Sequence, residues 1–218
     1  MKAVIHQSLK SKLEVEEPMS VQHVKNNNIK IGITGNIASG KSTAVIYLKA
    51  KGYHVIDSDE IVKRLWQDDD IIIELSTMFD RNFKDLNVKH AFIEDVFQNQ
   101  IIRHQLESYL HPKVYQEIET RMNILSGPVF IDIPLLYETS YEKHLDAVIL
   151  ITVDQDIQLN RLKKRGYTHL QALSRIEAQM NQSLKMNKTK HIVSGTLGFE
   201  SFYQALEKEI DIILHANH

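Results

Sequence analysis

The stretch Gly35-Asn36-Ile37-Ala38-Ser39-Gly40-Lys41-Ser42 constrains this chain more than any other feature. It fits G-x-x-x-x-G-K-[ST], with the apolar run KIGIT (30–34) before it and a helical pattern from Lys41 to about Lys51 after it. A strand that enters a glycine-rich turn and leaves it as a helix wraps a phosphate chain. The glycines let the backbone turn so that its N–H groups point at phosphate oxygens, and the helix adds the positive end of its dipole. Lys41 is expected to reach the β- and γ-phosphates, and the Ser42 hydroxyl to ligate magnesium. The motif implies nucleotide binding, through residues Gly35 to Thr43. By itself it names no acceptor.

The next apolar run, YHVI (53–56), follows Gly52 and ends in Asp57. Strand, loop, helix, strand is the grammar of an α/β parallel sheet. VFID (129–132), AVILITV (147–153) and His191 to Ser194 supply three more strands, and 199–214 a closing helix. Asp154 is expected to cap the helix after the fourth strand, and Thr168 with Gln171 to form a capping box. The middle, about 60–125, reads as helical: Phe92, Ile93, Val96 and Phe97 share a face, followed by Ile101, Leu106 and Leu110. His111-Pro112 is expected to interrupt it, because proline disfavours helix at the residue before it. Val114, Ile118, Met122 and Leu125 then mark a separate amphipathic helix. Residues 1–28 look like an extension, in which Ile5, Leu9 and Leu13 recur every four residues before Pro18 and three asparagines break the pattern.

Composition narrows the function classes. With 218 residues, 43% apolar and 25% charged, the chain is an ordinary globular sequence long enough for one sizeable core. Its 26 basic and 28 acidic residues give a net charge of -2, without the basic excess of a nucleic-acid binder. There is no cysteine, so thiolate zinc sites, disulfide frameworks and cysteine nucleophiles are excluded. No apolar run approaches the roughly 20 residues that span a bilayer. The N-terminus lacks the continuous apolar region of a signal peptide. The expectation is a cytoplasmic protein without nucleic-acid or membrane partners, the monomer being favoured.

Four further groups carry chemistry. Asp57-Ser58-Asp59 follows the second strand, at the carboxyl end where doubly wound sheets bind ligands. A carboxylate there accepts a proton from an attacking hydroxyl or helps hold magnesium; equally, the pair reads as a helix N-cap. Asp132 follows Val129-Phe130-Ile131, the pattern of a magnesium-holding strand-end carboxylate, or of a turn aspartate. Arg161 and Arg165, at i and i+4 with Lys163 and Lys164 between them, share a helix face. They read either as a phosphoryl clamp on a lid or as a solvated basic face. His111 reads as structural, and no paired-histidine metal spacing occurs.

In order, ITGNIASGKST, VIDSDEIV, LESYLHPKV, FIDIPLLYE, LNRLKKR and RIEAQ closely resemble the dephospho-coenzyme A kinase family, over about residues 30–212. The resemblance implies a P-loop three-layer sandwich with five parallel strands, an inserted helical coenzyme A-binding region (about 60–125) and a lid (about 160–185). It implies phosphorylation of the ribose 3′-hydroxyl of dephospho-coenzyme A by ATP, with magnesium, as the last step of coenzyme A synthesis. Under it, Asp59 is the general base or orienter, Asp57 its companion, and Thr34 lies near the reacting phosphate. Lys41 and Ser42 are the P-loop pair, Asp132 the aspartate before Pro-Leu-Leu, and Arg161 and Arg165 the lid arginines. Arg103, His111, Pro112 and Leu135 fall on the substrate side.

The chain departs from the family pattern in places. Asn36-Ile37-Ala38 stands where the family often has Gly-Ile-Gly, Ser58 stands for an alanine, and Lys89 for a usual arginine. His191 to Thr196 lacks the usual asparagine before a glycine. Two other readings use the same residues: a P-loop kinase for a different small acceptor, such as a nucleoside monophosphate or shikimate, and a nucleotide-binding regulatory protein without transfer activity.

Overall fold

A computed structural model describes residues 29–216. The extension reading for 1–28 lies outside the described residues. Five strands form one parallel sheet: β1 (Lys30–Gly35), β2 (His54–Asp57), β3 (Val129–Asp132), β4 (Ala147–Thr152) and β5 (His191–Ser194). Their order is β2-β3-β1-β4-β5, so β1 lies at the centre and delivers the glycine-rich turn to the middle of the sheet edge. The strands read as unbroken apolar runs because both faces are covered, as parallel sheets require.

On one face Ile31, Ile33 and Phe130 pack with Leu48 of α1 (Lys41–Ala50) and with Phe202, Leu206 and Ile210 of the closing helix, α9 (Phe199–Ala216). On the other, Val129 and Ile131 pack with Ile61 of α2 (Ser58–Leu65) and with Val114, Ile118 and Met122 of α5 (Gln100–Met122). Within β1, Gly32 has no room for a side chain. A Cβ there would lie 2.5 Å from Leu145 Cδ1 and 2.7 Å from Leu136 Cδ1.

The helical middle adds α3 (Asp69–Phe79) and α4 (Leu86–Gln98), which build a satellite core of Ile71, Leu75, Phe83 and Phe92 against the side of α5. The expected break at His111-Pro112 does not occur. Helix α5 runs through Pro112, with Leu110 and Val114 buried on either side of it. The pre-proline restriction is a bias, and burial of one continuous apolar stripe outweighs it here.

Past β4 come α6 (Gln155–Lys164), α7 (His169–Glu177) and α8 (Gln182–Lys188). The capping box forms as expected, Thr168 and Gln171 satisfying each other's backbone N–H. Asp154 occupies the N-cap of α6 but makes no side-chain cap. Its Oδ2 instead accepts from Thr196 Oγ1 at 3.3 Å, because the loop after β5 supplies a nearer donor.

Candidate active site

The sheet register gathers the acidic residues. Asp57 is paired with Asp132, and Asp132 with Ile33, one residue before Thr34. Partners in a parallel ladder point to the same face, so the two carboxylates stand side by side at the carboxyl ends of β2 and β3. Asp57 Oδ1 accepts from the N–H groups of Asp59 at 2.9 Å and Glu60 at 3.2 Å, capping α2. The cap aims Asp59, exposed at the first turn of α2, into the same corner.

Lys41 opens α1 below this corner and donates its Nζ to Asp132 Oδ1. Both side chains are largely buried, 16% and 9% exposed. Burial pushes the Asp132 carboxyl above its usual range; the Lys41 ammonium pulls it back, while the charges of Asp57 and Asp59 push it up again. Asp132 shares the Lys41 ammonium while feeling the negative charges of Asp57 and Asp59, so carboxylates outnumber the cation at this corner. Thr34, fully buried, donates its Oγ1 to Pro134 O at 3.3 Å and so ties β1 to the loop after β3.

The turn itself is held from outside. Gly35 cannot carry a side chain, since a Cβ would sit 2.5 Å from Ile151 O. Ala38 has φ 61° and Gly40 φ 112°, the left-handed conformations that wrap the loop. Ile37 donates its N–H to Gln179 Oε1 at 2.7 Å, and its carbonyl accepts from Gln158 Nε2 at 2.6 Å. Asn36 Nδ2 donates to Met180 O at 3.2 Å. Thr43 and Ala44 donate their N–H groups to Gly40 O at 2.8 and 3.2 Å, which leaves those of Lys41 and Ser42 at the head of α1 for an anion. Ser39 Oγ and Asn36 Oδ1 are buried without a hydrogen-bond partner, as fits a loop whose contacts are completed by a ligand.

Arg161 lies under this loop. One guanidinium nitrogen donates to Ala38 O (3.0 Å) and Ser39 O (3.1 Å), the other to Gly195 O (2.6 Å). Burial, and the like charge of Arg165, lower its proton affinity. Arg165, at the C-cap of α6, is exposed. The two arginines are thus neighbours with different surroundings, one fastened to carbonyls and one free to reach outward from an exposed position. Gly195 permits the contact: a Cβ there would fall 1.9 Å from Ser39 O.

The residues expected on the substrate side lie away from this corner. Arg103 donates its Nε to Val96 O at 3.2 Å. His111 stacks on Tyr115, ring centres 5.8 Å apart, and burial lowers its pKa although Glu107 opposes the shift. Pro112 is exposed beside it, and Leu135 is 40% exposed on the loop after Asp132. Lys89 places its ammonium over the Trp66 ring at 4.7 Å and donates to Trp66 O at 3.0 Å. Among the described residues, no group of three acidic or histidine side chains forms a metal site by itself. Gln158, Gln179 and Gly195 escaped the sequence reading, although Gln179 ends the RIEAQ block.

A family profile described as dephospho-CoA kinase matches residues 29–198, and this decides the assignment. The chain belongs to the dephospho-CoA kinase family. A dephospho-CoA kinase from Legionella pneumophila strain Lens is 33% identical over 186 residues, 82% of this chain and 92% of the relative. One from Geobacillus kaustophilus is 34% identical over 175 residues, 76% and 87% of the two chains. Among solved structures, TT1252 from Thermus thermophilus superposes with a TM-score of 0.73 at 29% identity, covering 87% of this chain and 98% of that one. The dephospho-CoA kinase from Campylobacter jejuni gives 0.63 at 28%, with the same coverage. These relatives share the P-loop fold built here around β1 and α1. No helix among the described residues is long and apolar enough to cross a membrane.

Proposed function

We propose that this chain transfers the γ-phosphoryl group of ATP to the ribose 3′-hydroxyl of dephospho-coenzyme A, giving coenzyme A and ADP. The observation that carries the reading is the corner where Lys41 meets Asp132 with Asp57 and Asp59 alongside. A phosphate-binding loop alone needs no exposed carboxylate across from its lysine; an acceptor hydroxyl does.

The residues divide the work as follows. The loop Gly35 to Thr43 and the N-terminus of α1 bind the phosphates of ATP. Lys41 leaves Asp132 for the β- and γ-phosphates and neutralises the charge that spreads over them. Asp59 accepts the proton of the attacking hydroxyl as the 3′-oxygen bonds to phosphorus and the bond to the bridging oxygen of ADP breaks. Asp57 keeps Asp59 in place through the cap of α2. Thr34 sits beside the reacting phosphate, and Arg103, His111, Pro112 and Leu135 face the acceptor. Arg165 reaches the transferring group from the lid, and Arg161 holds the loop beneath it. Residues about 160–185 act as that lid and exclude water, which would otherwise hydrolyse ATP.

The Ser42 hydroxyl, exposed at the head of α1, and the Asp132 carboxylate are hard oxygen donors that suit magnesium. When bound, the ion supplies charge neutralisation between the phosphates. The enzyme works as a cytoplasmic monomer.

An acceptor panel tests the reading. With magnesium and ATP, ADP release should depend on dephospho-coenzyme A and should stay at background with shikimate or nucleoside monophosphates. Tight ATP binding with no acceptor-dependent turnover would instead favour a regulatory nucleotide-binding protein.

A further inference from the structure

The helix connection between α7 and α8 touches both halves of the site. Glu138, six residues beyond Asp132, accepts the Met180 N–H at 3.0 Å on its Oε1. The same oxygen lies 2.9 Å from the ammonium of Lys185, a charge contact without hydrogen-bond geometry, the Lys185 side chain being 0% exposed and that of Glu138 22% exposed. Met180 then turns its carbonyl to the P-loop, accepting from Asn36 Nδ2 at 3.2 Å. Its neighbour Gln179 takes the Ile37 N–H at 2.7 Å. One peptide segment therefore runs from the loop that follows the acceptor-side carboxylate to the loop that wraps the donor phosphates.

We infer that Glu138, by accepting the Met180 N–H, is a positioning residue that sets the shape of the P-loop through Met180 and Gln179; the inference rests on the kinase reading above. Stability does not explain the pair. A fully buried ammonium is desolvated at a cost its partner barely offsets, and apolar replacements of both partners are often neutral or better. What the pair does provide is one carboxylate oxygen held where it can accept a charge-assisted bond from a backbone N–H. That bond pins Met180, and with it the two contacts that hold residues 36 and 37. Asn36 is one of the positions where this chain departs from the family's glycine, and its side chain reaches Met180 here. The Asn36 side chain is therefore a further tie between the strut and the P-loop.

The test separates the buried charges from the anchored N–H. In E138Q/K185M the charges go but a carbonyl oxygen remains for Met180; in E138L/K185M the acceptor goes too. Calorimetric ATP binding, measured without any acceptor, should stay within about 3-fold of the wild type in the first variant and weaken about 10-fold or more in the second, since small misplacements of a binding group carry effects up to about 100-fold. The KM for dephospho-coenzyme A should change less than about 2-fold in both, because the acceptor side is not what the strut shapes. Wild-type ATP affinity in a folded E138L/K185M overturns the inference. If that variant fails to fold, Gln179→Ala decides: it should weaken ATP binding with unchanged thermal stability, and unchanged affinity overturns the inference. A wild-type enzyme that binds ATP but ignores dephospho-coenzyme A would overturn the kinase reading instead, and the affinity comparison would still decide the strut.

Discussion

Asp57 and Asp59 stand two residues apart and do different things. Asp57 is committed to the N–H groups at the start of α2, whereas Asp59 is exposed and carries no such bond on its side chain. Spacing alone left the pair between a cap and a base; the structure gives the cap to the first residue and leaves the second side chain exposed. Asp59→Asn should therefore lower kcat about 100- to 10,000-fold, the usual span for a lost general base, while calorimetric ATP affinity stays within about 2-fold because the amide removes only the proton acceptor. Near-wild-type turnover would take Asp59 out of the mechanism. Gly195 is the other decisive residue. Both atoms of the close contact with Ser39 are backbone, so neither can rotate away from an added methyl. Gly195→Ala should lose about 1–3 kcal/mol of stability, the range for overpacking, and should weaken ATP binding because Arg161 can no longer join the two loops. A melting temperature and ATP affinity equal to the wild type would show that the loop after β5 moves independently of the P-loop. No rule of local sequence marks this glycine: its clash is with a carbonyl more than a hundred residues away along the chain.

At the scale of elements, the strands were the most legible part of the chain. They are short, largely apolar runs that end at Gly35, Asp57, Asp132, Thr152 and Ser194, the pattern expected of a parallel sheet covered on both faces. The helices were legible as amphipathic stretches but not in their joins. Pro112 shows why: local sterics favour a break, and only the packing of Leu110, Val114, Ile118 and Met122 along one stripe shows that the helix continues. A proline inside a helix removes a hydrogen bond and crowds the preceding turn, at about 3 kcal/mol. Pro112→Ala should recover about 1–3 kcal/mol of that, which for a chain of this size raises Tm by about 2–4 °C per kcal/mol. An unchanged or lower Tm would mean that the ring packs in a way that offsets its backbone penalty. Helices α6 to α8 taught a similar lesson. From spacing their basic residues read either as a phosphoryl clamp on a lid or as a solvated basic face, but the side chains that brace the P-loop from this region include amides, Gln158 and Gln179, which carry no charge pattern to follow.

Seen whole, the molecule is a parallel sheet that collects polar residues at the carboxyl ends of its strands, with a helical layer packed beside it. The helical layer holds a titratable group of consequence for stability. Burial depresses the pKa of His111 from its ordinary 6.5. In the window below that value the unfolded chain binds a proton that the folded chain resists, so stability falls as pH is lowered. The wild type should lose Tm between neutrality and mildly acidic pH, and His111→Gln should lose measurably less over the same interval. Parallel curves for the two proteins would show that His111 titrates normally in the fold. The activity of this family is a single phosphoryl transfer to dephospho-coenzyme A. Its most direct test is the ratio of coenzyme A formed to ADP released by the wild-type chain with magnesium, ATP and dephospho-coenzyme A, both products measured in one reaction by chromatography and mass spectrometry. Equal amounts, with the new phosphate on the ribose 3′-oxygen, are the predicted result. ADP released without coenzyme A, or a phosphate found on another position, would contradict it.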